Sequence, residues 1–329
     1  LHADIVIKNN KFHLSGIVEI NKKNLNNFSK QYEIFNSIEE LLVNKKIDGA
    51  IIATPTDLHY EHSKKFLEKR IPILIEKPIS NSLIEANELI NLSKKNKTPI
   101  LVGHHRRHNN IIKRAKTAID EGLLGNIRSI ISICWFYKPD EYFNIAPWRK
   151  EIGAGPISVN LIHDVDLLRY LCGDIKSVFS TISMSKRGFK NEDLASVIFN
   201  FVSGATANLT VSDSIVSPWS WEMTANEFNA TKFPKIEQNC YLIGGSEASL
   251  SIPDLKIWSY KETKDWRSKF LSKNLNFKYN NPFLDQINHF YDVITKGSKP
   301  IVSGQEGLES LKAIDAIQKS IKTKKIINL

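Results

Sequence analysis

Short apolar segments alternate with amphipathic segments along the first hundred residues of the chain. A brief apolar run bounded by turn residues is typical of a buried strand, and apolar positions spaced three and four apart are typical of a helix. Strict alternation of the two indicates βαβ units and a parallel sheet. The predicted strands are 12–20, 48–53, 71–75 and 99–103, and the predicted helices are 1–10, 24–31, 37–44, 58–70 and 81–95.

The pattern changes beyond residue 127. Longer segments with a hairpin turn at Ser203 and Gly204 predict a largely antiparallel sheet with few helices. We therefore expect an α/β chain of two parts, a Rossmann-like parallel-sheet domain at 1–108 and an α+β domain with an open, mainly antiparallel sheet at 109–329. The strands predicted here are 129–137, 177–185, 194–202 and 205–213, and the helices are 109–121, 158–172, 282–296 and 304–322.

Lys77 is the first candidate for chemistry, because ligands of open parallel sheets bind at the carboxyl ends of the strands. It follows the third predicted strand and precedes Pro78, which excludes helical backbone and presents the ammonium at the strand end. A partly desolvated lysine near a substrate hydroxyl would stabilise a developing alkoxide. The alternative is an ordinary surface lysine in a turn.

His163 is the second candidate. In a helix it shares a face with Asn160, three residues earlier, which we expect to bind substrate or to hydrogen-bond His163. A histidine there can accept a proton near neutral pH. The alternative is a helix histidine bonded to a carbonyl. Gly153 and Gly155 before the helix permit a close backbone approach.

Three further side chains are candidates for substrate binding. Arg106 and Arg107 lie in the run HHRRH after the fourth strand, and either could bind an anion or substrate or form a salt bridge, with Arg107 the candidate for the substrate. Trp148 and Arg149 form a pair suited to gripping a planar or carboxylate group, the alternative being a packed tryptophan beside a solvent-facing arginine. Adjacent histidines point in different directions and have no carboxylate at ligand spacing, so we predict no metal site.

Composition and charge narrow the function classes. The chain of 329 residues is 42% hydrophobic and 24% charged, which is typical of globular proteins. Its apolar runs are far shorter than the roughly 18 residues of a membrane span. Only nine of the 45 basic residues are arginines, and the lysines are scattered, so the net charge of +10 indicates a solvated surface and no nucleic-acid partner. Three widely spaced cysteines favour a reducing cytoplasm without disulfides.

Four segments of the sequence carry a family signature, IDGAIIATPTDLHYEH, ILIEKPIS, VGHHRRHNN and GAGPISVNLIHDVDLLRYLCGDI. Together they resemble the Gfo/Idh/MocA family, the glucose–fructose oxidoreductase, inositol dehydrogenase and rhizopine-catabolism enzymes. The resemblance extends from residue 1 to about residue 322 and implies an NAD(P)-dependent oxidoreductase that acts on a secondary hydroxyl or ketone of a sugar, cyclitol or related polar molecule. Lys77 matches the lysine that lowers the pKa of the hydroxyl near the nicotinamide, and His163 matches the general acid–base.

The same resemblance implies where cofactor and substrate bind. Glu19 matches an acid that accepts the 2′-hydroxyl of the adenosine ribose and repels a 2′-phosphate, which favours NAD over NADP although Lys22 and Lys23 stand nearby. The implied cofactor residues are Glu19, Thr54, Pro55, His59, Glu76 and Lys77, and the implied substrate residues are Arg107, Trp148, Arg149, Asn160 and His163.

The sequence departs from the family in two ways. Val159 stands where the family often has an aspartate, and it cannot orient the imidazole of His163. The family also begins with a strand and a G-x-G-x-x-G turn that holds the pyrophosphate, and this motif is absent from the sequence. We therefore expect that strand and turn to precede Leu1 in a longer protein, and that without them the strands at 12–20 and 48–53 lack their shared neighbour.

Two other functions stay open from sequence. One is an NAD-dependent glycosidase of the same superfamily, which oxidises only transiently. The other is a non-catalytic dinucleotide-binding relative, which Val159 and the missing glycine motif motivate. In each case we expect a small polar ligand, no membrane partner and, through the open sheet, a homo-oligomer such as a dimer or tetramer.

Overall fold

The chain divides into two compact units. The computed structural model describes residues 1–21, 25, 31–227 and 232–329. Most of the helix predicted at 24–31, together with Lys22 and Lys23, lies outside the described residues. The first unit comprises Leu1–His105 and Phe283–Leu311, and the second comprises Arg106–Pro282 and Lys312–Leu329.

The segment Phe283–Leu311 groups with the first unit, although the sequence division at residue 108 places it in the C-terminal domain. Ile287 and Phe290 of this segment are buried in the same cluster as Ile73 and Leu74. The apolar side chains of this helical segment therefore pack into the core of the first unit. The boundary between predicted domains at 1–108 and 109–329 stays a prediction.

Short parallel strands form the sheets of the first unit. They are β1 Ile17–Val18, β2 Ile34–Phe35, β3 Ala50–Ile52, β4 Ile73–Ile75 and β5 Ile100–Val102. Strand β1 pairs with β2, and β3, β4 and β5 form a second sheet in that order. Within the described residues no strand joins the two sheets. The apolar run at 12–20 yields only the two residues of β1, and β2 was not predicted.

Four of the described α-helices belong to the first part of this unit, α1 His2–Ile7, α2 Ile38–Asn44, α3 His59–Glu68 and α4 Leu83–Asn96. One of them, α2, begins at the predicted cap Ser37. The hydroxyl of Ser37 accepts from the Glu40 N–H over 3.1 Å at the start of α2. The Glu40 carboxylate in turn accepts from the N–H of Asn36 over 2.8 Å. The predicted capping box is thus present, but its return bond goes to the residue before the cap.

A large sheet dominates the second unit. As far as the structure is described, its nine strands follow the order β13-β12-β11-β10-β6-β9-β8-β7-β14. Only β6 and β9 are parallel neighbours, so the prediction of a mainly antiparallel sheet is confirmed. The four predicted strands correspond to β6–β9, and β10–β14 were missed. The strands are β6 Ile127–Trp135, β7 Ile175–Met184, β8 Glu192–Phe201, β9 Thr206–Ser212, β10 Tyr241–Gly245, β11 Ala248–Ile252, β12 Lys256–Tyr260, β13 Phe270–Asn274 and β14 Ile327–Asn328.

Helices bury one face of this sheet. Ile112, Leu168 and Ile317, from three different helices, lie in one buried cluster with Phe199 and Leu209 of the sheet. The helix predicted at 158–172 starts as a π-turn at Ile157–Leu161 and becomes α-helical only afterwards. No described helix is long and apolar enough to cross a membrane. The remaining helices are α5 Asn110–Asp120, α6 Asp140–Asn144, α7 Ile162–Cys172, α8 Trp221–Thr224, α9 Pro282–Lys296 and α10 Gly304–Thr323.

Candidate active site

Glu19 presents a carboxylate at the end of β1, where the sequence predicts a ribose contact. Its backbone N–H donates to the carbonyl of Phe35 over 3.2 Å, which continues the pairing with β2 by one residue. Its side-chain oxygen Oε1 accepts from the N–H of Asn21 over 2.8 Å. The backbone N–H of Asn21, two residues later, therefore holds the Glu19 carboxylate at the end of β1.

His59 connects the loop after β3 to the loop after β4. Its Nδ1 lies 2.8 Å from the carbonyl oxygen of Pro78, and its Nε2 lies 2.9 Å from that of Thr54. Carbonyl oxygens only accept, so His59 donates through each ring nitrogen that carries a proton, and a neutral imidazole donates to one of the two carbonyls at a time. Pro55 comes directly before the 3₁₀ turn that leads into α3. The predicted cofactor loop at Thr54 and Pro55 is thus fixed to the segment that carries Lys77.

Glu76 is a fixed anion beside the backbone of Lys77. Its Oε1 lies 2.7 Å from His2 Nε2, and its Oε2 accepts from the N–H of Lys77 over 3.2 Å. A Cβ on Gly103 would lie 3.1 Å from the Glu76 side chain, so glycine leaves room for the carboxylate. Burial is the largest single effect and would raise the pKa of Glu76. The bond and charge of His2, together with the charges of His105 and Lys77, outweigh burial, and the pKa falls below its ordinary value.

Lys77 leaves the sheet two residues after β4 and is half-buried. The peptide bond between Lys77 and Pro78 is cis. Lys77 therefore stands at the carboxyl end of a parallel strand, which is the place that the sequence predicted for it.

A buried charged cluster adjoins His163 in the second unit. Arg106 Nη2 donates to Glu222 over 2.6 Å, and its Nη1 lies 3.7 Å from Asp164 Oδ1. The hydroxyl of Tyr241 donates to the same Asp164 oxygen. Burial raises the pKa of Asp164 to about 6, against the opposing effects of Arg106 and Tyr241. Asp164, which follows His163 in the sequence, is thus part of the packed interior of the second unit.

Arg107 is also buried in the second unit. Its Nε and Nη2 donate to the two carboxylate oxygens of Asp166 over 2.8 and 2.7 Å. Its guanidinium lies 4.9 Å from the ring centre of Tyr170. This geometry favours a structural salt bridge, the alternative that the sequence left open. A substrate contact by Arg107 stays a prediction.

His163 is the second residue of α7, and the π-turn before it is anchored from the sheet. Oε1 of Glu192 accepts from the N–H of Ile157, the first residue of the π-turn, over 3.1 Å. A Cβ on Gly155 would lie 2.2 Å from that same oxygen. The close approach predicted from the glycines is therefore found at Gly155, and it lets Glu192 fix the start of the turn. Burial raises the pKa of Glu192.

Asn160 lies within the π-turn, and its partner is a residue that the sequence analysis did not select. The Nζ of Lys138 donates to Asn160 Oδ1 over 2.8 Å. The partner of this oxygen is thus Lys138 and not His163. In a π-turn the backbone hydrogen bonds span five residues instead of four. The α-helical spacing that would place Asn160 and His163 on one face therefore does not apply here.

Tyr142 lies close both to Arg149 and to Lys138, the partner of Asn160. The guanidinium carbon of Arg149 lies 3.8 Å from the Tyr142 ring centre, and its Nη1 donates to the Tyr142 carbonyl over 2.6 Å. The Nζ of Lys138 lies 4.9 Å from the centre of the same ring. Trp148 is 58% exposed, and its ring centre is 5.6 Å from the Arg149 guanidinium. Three predicted substrate residues therefore belong to one contiguous group.

Lys138 could have been found in the sequence. It comes directly after the strand predicted at 129–137 and precedes Pro139, as Lys77 precedes Pro78, so the rule that selected Lys77 also selects Lys138. Tyr142 carries no such signal. Across residues 1–21, 25, 31–227 and 232–329, no group of three or more His, Cys, Asp or Glu side chains is arranged to hold a metal ion.

Two sequence models of one protein family match the chain. Residues 1–104 match the model described as "Oxidoreductase family, NAD-binding Rossmann fold", and residues 112–251 match the one described as "GFO/IDH/MocA C-terminal domain".

Curated relatives are similar over nearly the whole chain. Myo-inositol 2-dehydrogenase of Thermotoga maritima is 24% identical over 88% of this chain and 82% of its own length. The NADP⁺-dependent scyllo-inositol 2-dehydrogenase IolW of Bacillus subtilis is 22% identical over 100% of this chain and 92% of its own length.

The fold is shared with solved structures. The WlbA dehydrogenase of Bordetella pertussis, crystallised with NADH and UDP-GlcNAcA, superposes with a TM-score of 0.77 at 20% identity, covering 100% of this chain and 94% of its own. That identity supports a common fold and no more. Because the two family models together match well over half of the residues, the chain belongs to the GFO/IDH/MocA family of NAD-binding oxidoreductases.

Proposed function

We propose that this oxidoreductase transfers a hydride between NAD and a secondary hydroxyl or ketone of a sugar, a cyclitol or a related polar molecule. The observation that carries the proposal is Lys77, a half-buried lysine at the carboxyl end of a parallel strand beside the fixed carboxylate of Glu76. The names of the curated relatives, two inositol dehydrogenases, support the substrate class.

Lys77 and His163 have complementary roles in this proposal. Lys77 donates a hydrogen bond to the reacting hydroxyl oxygen, and its positive charge lowers the pKa of that hydroxyl. His163 accepts the hydroxyl proton during oxidation and returns it during reduction. A bound nicotinamide would supply the acceptor for the hydride of the carbinol carbon, so that in all the substrate would lose one hydride and one proton.

The side chains of the first unit fit a dinucleotide. A carboxylate at the end of β1, Glu19, suits the ribose hydroxyls and disfavours a 2′-phosphate, which supports NAD over NADP. The loop at Thr54 and Pro55 is fixed by His59 and can lie along the cofactor. In the second unit, the proposed substrate contacts are those of the group that contains Trp148, Arg149 and Asn160.

Cofactor binding is the first test. The protein, expressed with any residues that precede Leu1 in its reading frame, is titrated with NADH and NADPH, and energy transfer from its tryptophans is recorded. We expect NADH to bind more tightly than NADPH. If neither nucleotide binds, the oxidoreductase proposal is wrong.

Activity is the second test. Myo-inositol, scyllo-inositol and a panel of aldoses are oxidised with NAD, and NADH absorbance is followed. We expect Lys77→Met and His163→Ala to lower kcat by about 10²- to 10⁴-fold, whereas the exposed controls Lys46→Met and His13→Ala keep it. Cleavage of a chromogenic glycoside with catalytic NAD and no net NADH would instead favour the glycosidase alternative.

The open face of the sheet supports a homo-oligomer. Ile131 of β6 and Leu242 of β10 are directly opposite each other, and Ile198 of β8 lies in the same row. All three are exposed, and an apolar row on an open sheet is stabilised when a second copy covers it. Analytical ultracentrifugation is expected to give the mass of a dimer or tetramer. A monomer at micromolar concentration would contradict the proposed homo-oligomer.

A cytoplasmic location belongs to the same proposal. It is supported by three free thiols, of which Cys134 and Cys240 are buried, because unpaired cysteines suit a reducing compartment. Fractionation of the source cells with an antibody to the chain is expected to find it in the soluble cytoplasmic fraction.

A further inference from the structure

Lys138 is a buried cation that the proposed reaction does not use. Its side chain is only 9% exposed, in a chain whose lysines are mostly solvated. Its backbone is held on both sides, because its N–H donates to the carbonyl of Asp213 over 2.9 Å and its carbonyl accepts from Arg187 over 2.8 Å. A lysine mounted in this way can act as a rigid support.

The ammonium of Lys138 has one short hydrogen bond. It donates to Asn160 Oδ1 over 2.8 Å, and the Asp213 carboxylate lies farther away, at 3.5 Å. The rings of Phe136 and Tyr142 lie 5.4 and 4.9 Å from Nζ. Burial lowers the pKa of the Lys138 ammonium, and Asp213 opposes this shift. Asp213 therefore acts as the counter-ion, and Asn160 is the group that the ammonium orients.

The chemistry of the pair determines which way the amide of Asn160 faces. An ammonium has three donors and no acceptor, so only the amide oxygen can face Lys138. The NH₂ group of Asn160 consequently points away from Lys138. Asn160 is half-exposed and lies in the π-turn that leads to His163, so this donor is available to a ligand of the second unit.

We propose that Lys138 is a positioning residue, which holds the amide of Asn160 so that its NH₂ group donates to an oxygen acceptor of the substrate. The inference rests on the proposed function, because it specifies how the substrate of that reaction is recognised. The substrate group at this position is a hydroxyl, carbonyl or carboxylate oxygen and not a donor-only group such as an ammonium. Arg149, whose guanidinium also lies close to the Tyr142 ring, belongs to the same group of side chains.

A double-mutant cycle tests the positioning role. Lys138→Met, Asn160→Leu and the double variant are compared with the wild type, using the cyclitol or aldose with the highest kcat/KM. We expect each single variant to raise KM about tenfold, as for the loss of one hydrogen bond, and the double variant to raise it no further. The NADH dissociation constant should not change. Additive increases in KM would overturn the proposal.

The variant Asn160→Asp tests the donor separately. A carboxylate accepts from Lys138 as the amide does, but it has no donor for the substrate. We expect the urea midpoint to be retained and KM to rise as it does for Asn160→Leu. An unchanged KM would overturn the donor role. Lys150→Met is the matched control, because Lys150 also donates to an asparagine, Asn144, over 3.0 Å but at the exposed surface.

A readout that needs no turnover separates this inference from the proposed function. The same cycle is measured on the urea midpoint, where a Lys138–Asn160 contact gives a double-variant shift smaller than the sum of the single shifts. If the wild type neither binds NADH nor oxidises any member of the panel, the proposed function and the substrate part fail together, and the midpoint cycle still decides the positioning contact. Additive midpoint shifts would overturn that contact.

Discussion

Arg107 and Asp166 form a two-pronged ion pair inside the second unit, with both nitrogen–oxygen distances below 2.9 Å. Both side chains are buried, and Asp166 lies on α7 three residues after His163. The planar guanidinium matches the carboxylate edge in a way that a lysine cannot. The pair therefore fixes the rotation of the helix that carries the proposed acid–base.

Replacing one partner of this pair should destabilise the second unit strongly. Arg107→Met leaves the Asp166 carboxylate buried without its guanidinium, and such a loss costs about 3–5 kcal/mol in the free energy of unfolding. Urea unfolding followed by circular dichroism measures it. Arg107→Met combined with Asp166→Leu should recover most of the loss, because no charge is then left buried.

The double variant also tests whether Arg107 binds substrate. If its role is structural, Arg107→Met with Asp166→Leu should keep the wild-type KM once the fold is restored. A restored urea midpoint with a KM raised tenfold or more would instead support the substrate contact predicted from sequence.

The buried link made by His59 should matter for both stability and cofactor binding. His59→Phe keeps a planar ring but removes the N–H that links the loops of Thr54 and Pro78, at a cost of about 1–3 kcal/mol in unfolding free energy. Because these carbonyls belong to the loops after β3 and β4, we expect NADH to bind several-fold more weakly. Glu61→Gln, an exposed change on the same helix, is the control. If His59→Phe binds NADH as tightly as the wild type does, the link made by His59 has no role in cofactor binding.

Local sequence pattern predicted the parts of the fold that depend on neighbours in the chain. Ser37 and Glu40 predicted the start of α2, and the apolar segments at 177–185 and 194–202 predicted two neighbouring strands of the large sheet, β7 and β8. The run at 12–20 was misjudged in length, because its apolar residues contact the core of the first unit while only Ile17 and Val18 pair with a neighbouring strand.

Contacts between distant residues could not be predicted in this way. Arg107 and Asp166 are 59 positions apart, and nothing in either local pattern says that they pair. The orientation of Asn160 depends on Lys138, 22 positions earlier, and on a π-turn. The spacing of apolar residues in the sequence does not distinguish this π-turn from an ordinary α-helix. Lys77 was found because its signal is local, a lysine before proline at a strand end.

Asp164 should make stability depend on pH in the mildly acidic range. Its pKa is about 6 in the folded chain and ordinarily 3.8, so the folded state binds the proton more tightly. The contribution is present below the ordinary pKa and is lost as pH rises through the folded value. Between pH 4.5 and 7 we expect Asp164 to lower the unfolding free energy by about 2 kcal/mol.

The variant Asp164→Asn isolates this contribution, because it keeps an acceptor for Tyr241 and does not titrate. The penalty for the substitution, measured by urea unfolding, should be smaller at pH 7 than at pH 4.5 by that amount. An equal penalty at both values would mean that Asp164 titrates normally in the folded chain.

Glu19 should determine the choice between the two nicotinamide cofactors. Its carboxylate repels the 2′-phosphate of NADP, so Glu19→Gln is expected to lower the NAD-to-NADP ratio of kcat/KM about tenfold, mainly by improving the use of NADP. Glu33→Gln removes the same charge at an exposed salt bridge with Lys45 in the same unit and serves as control. If both variants shift the ratio equally, net charge explains the preference and the position of Glu19 does not. A shift confined to Glu19→Gln would assign the preference to the end of β1.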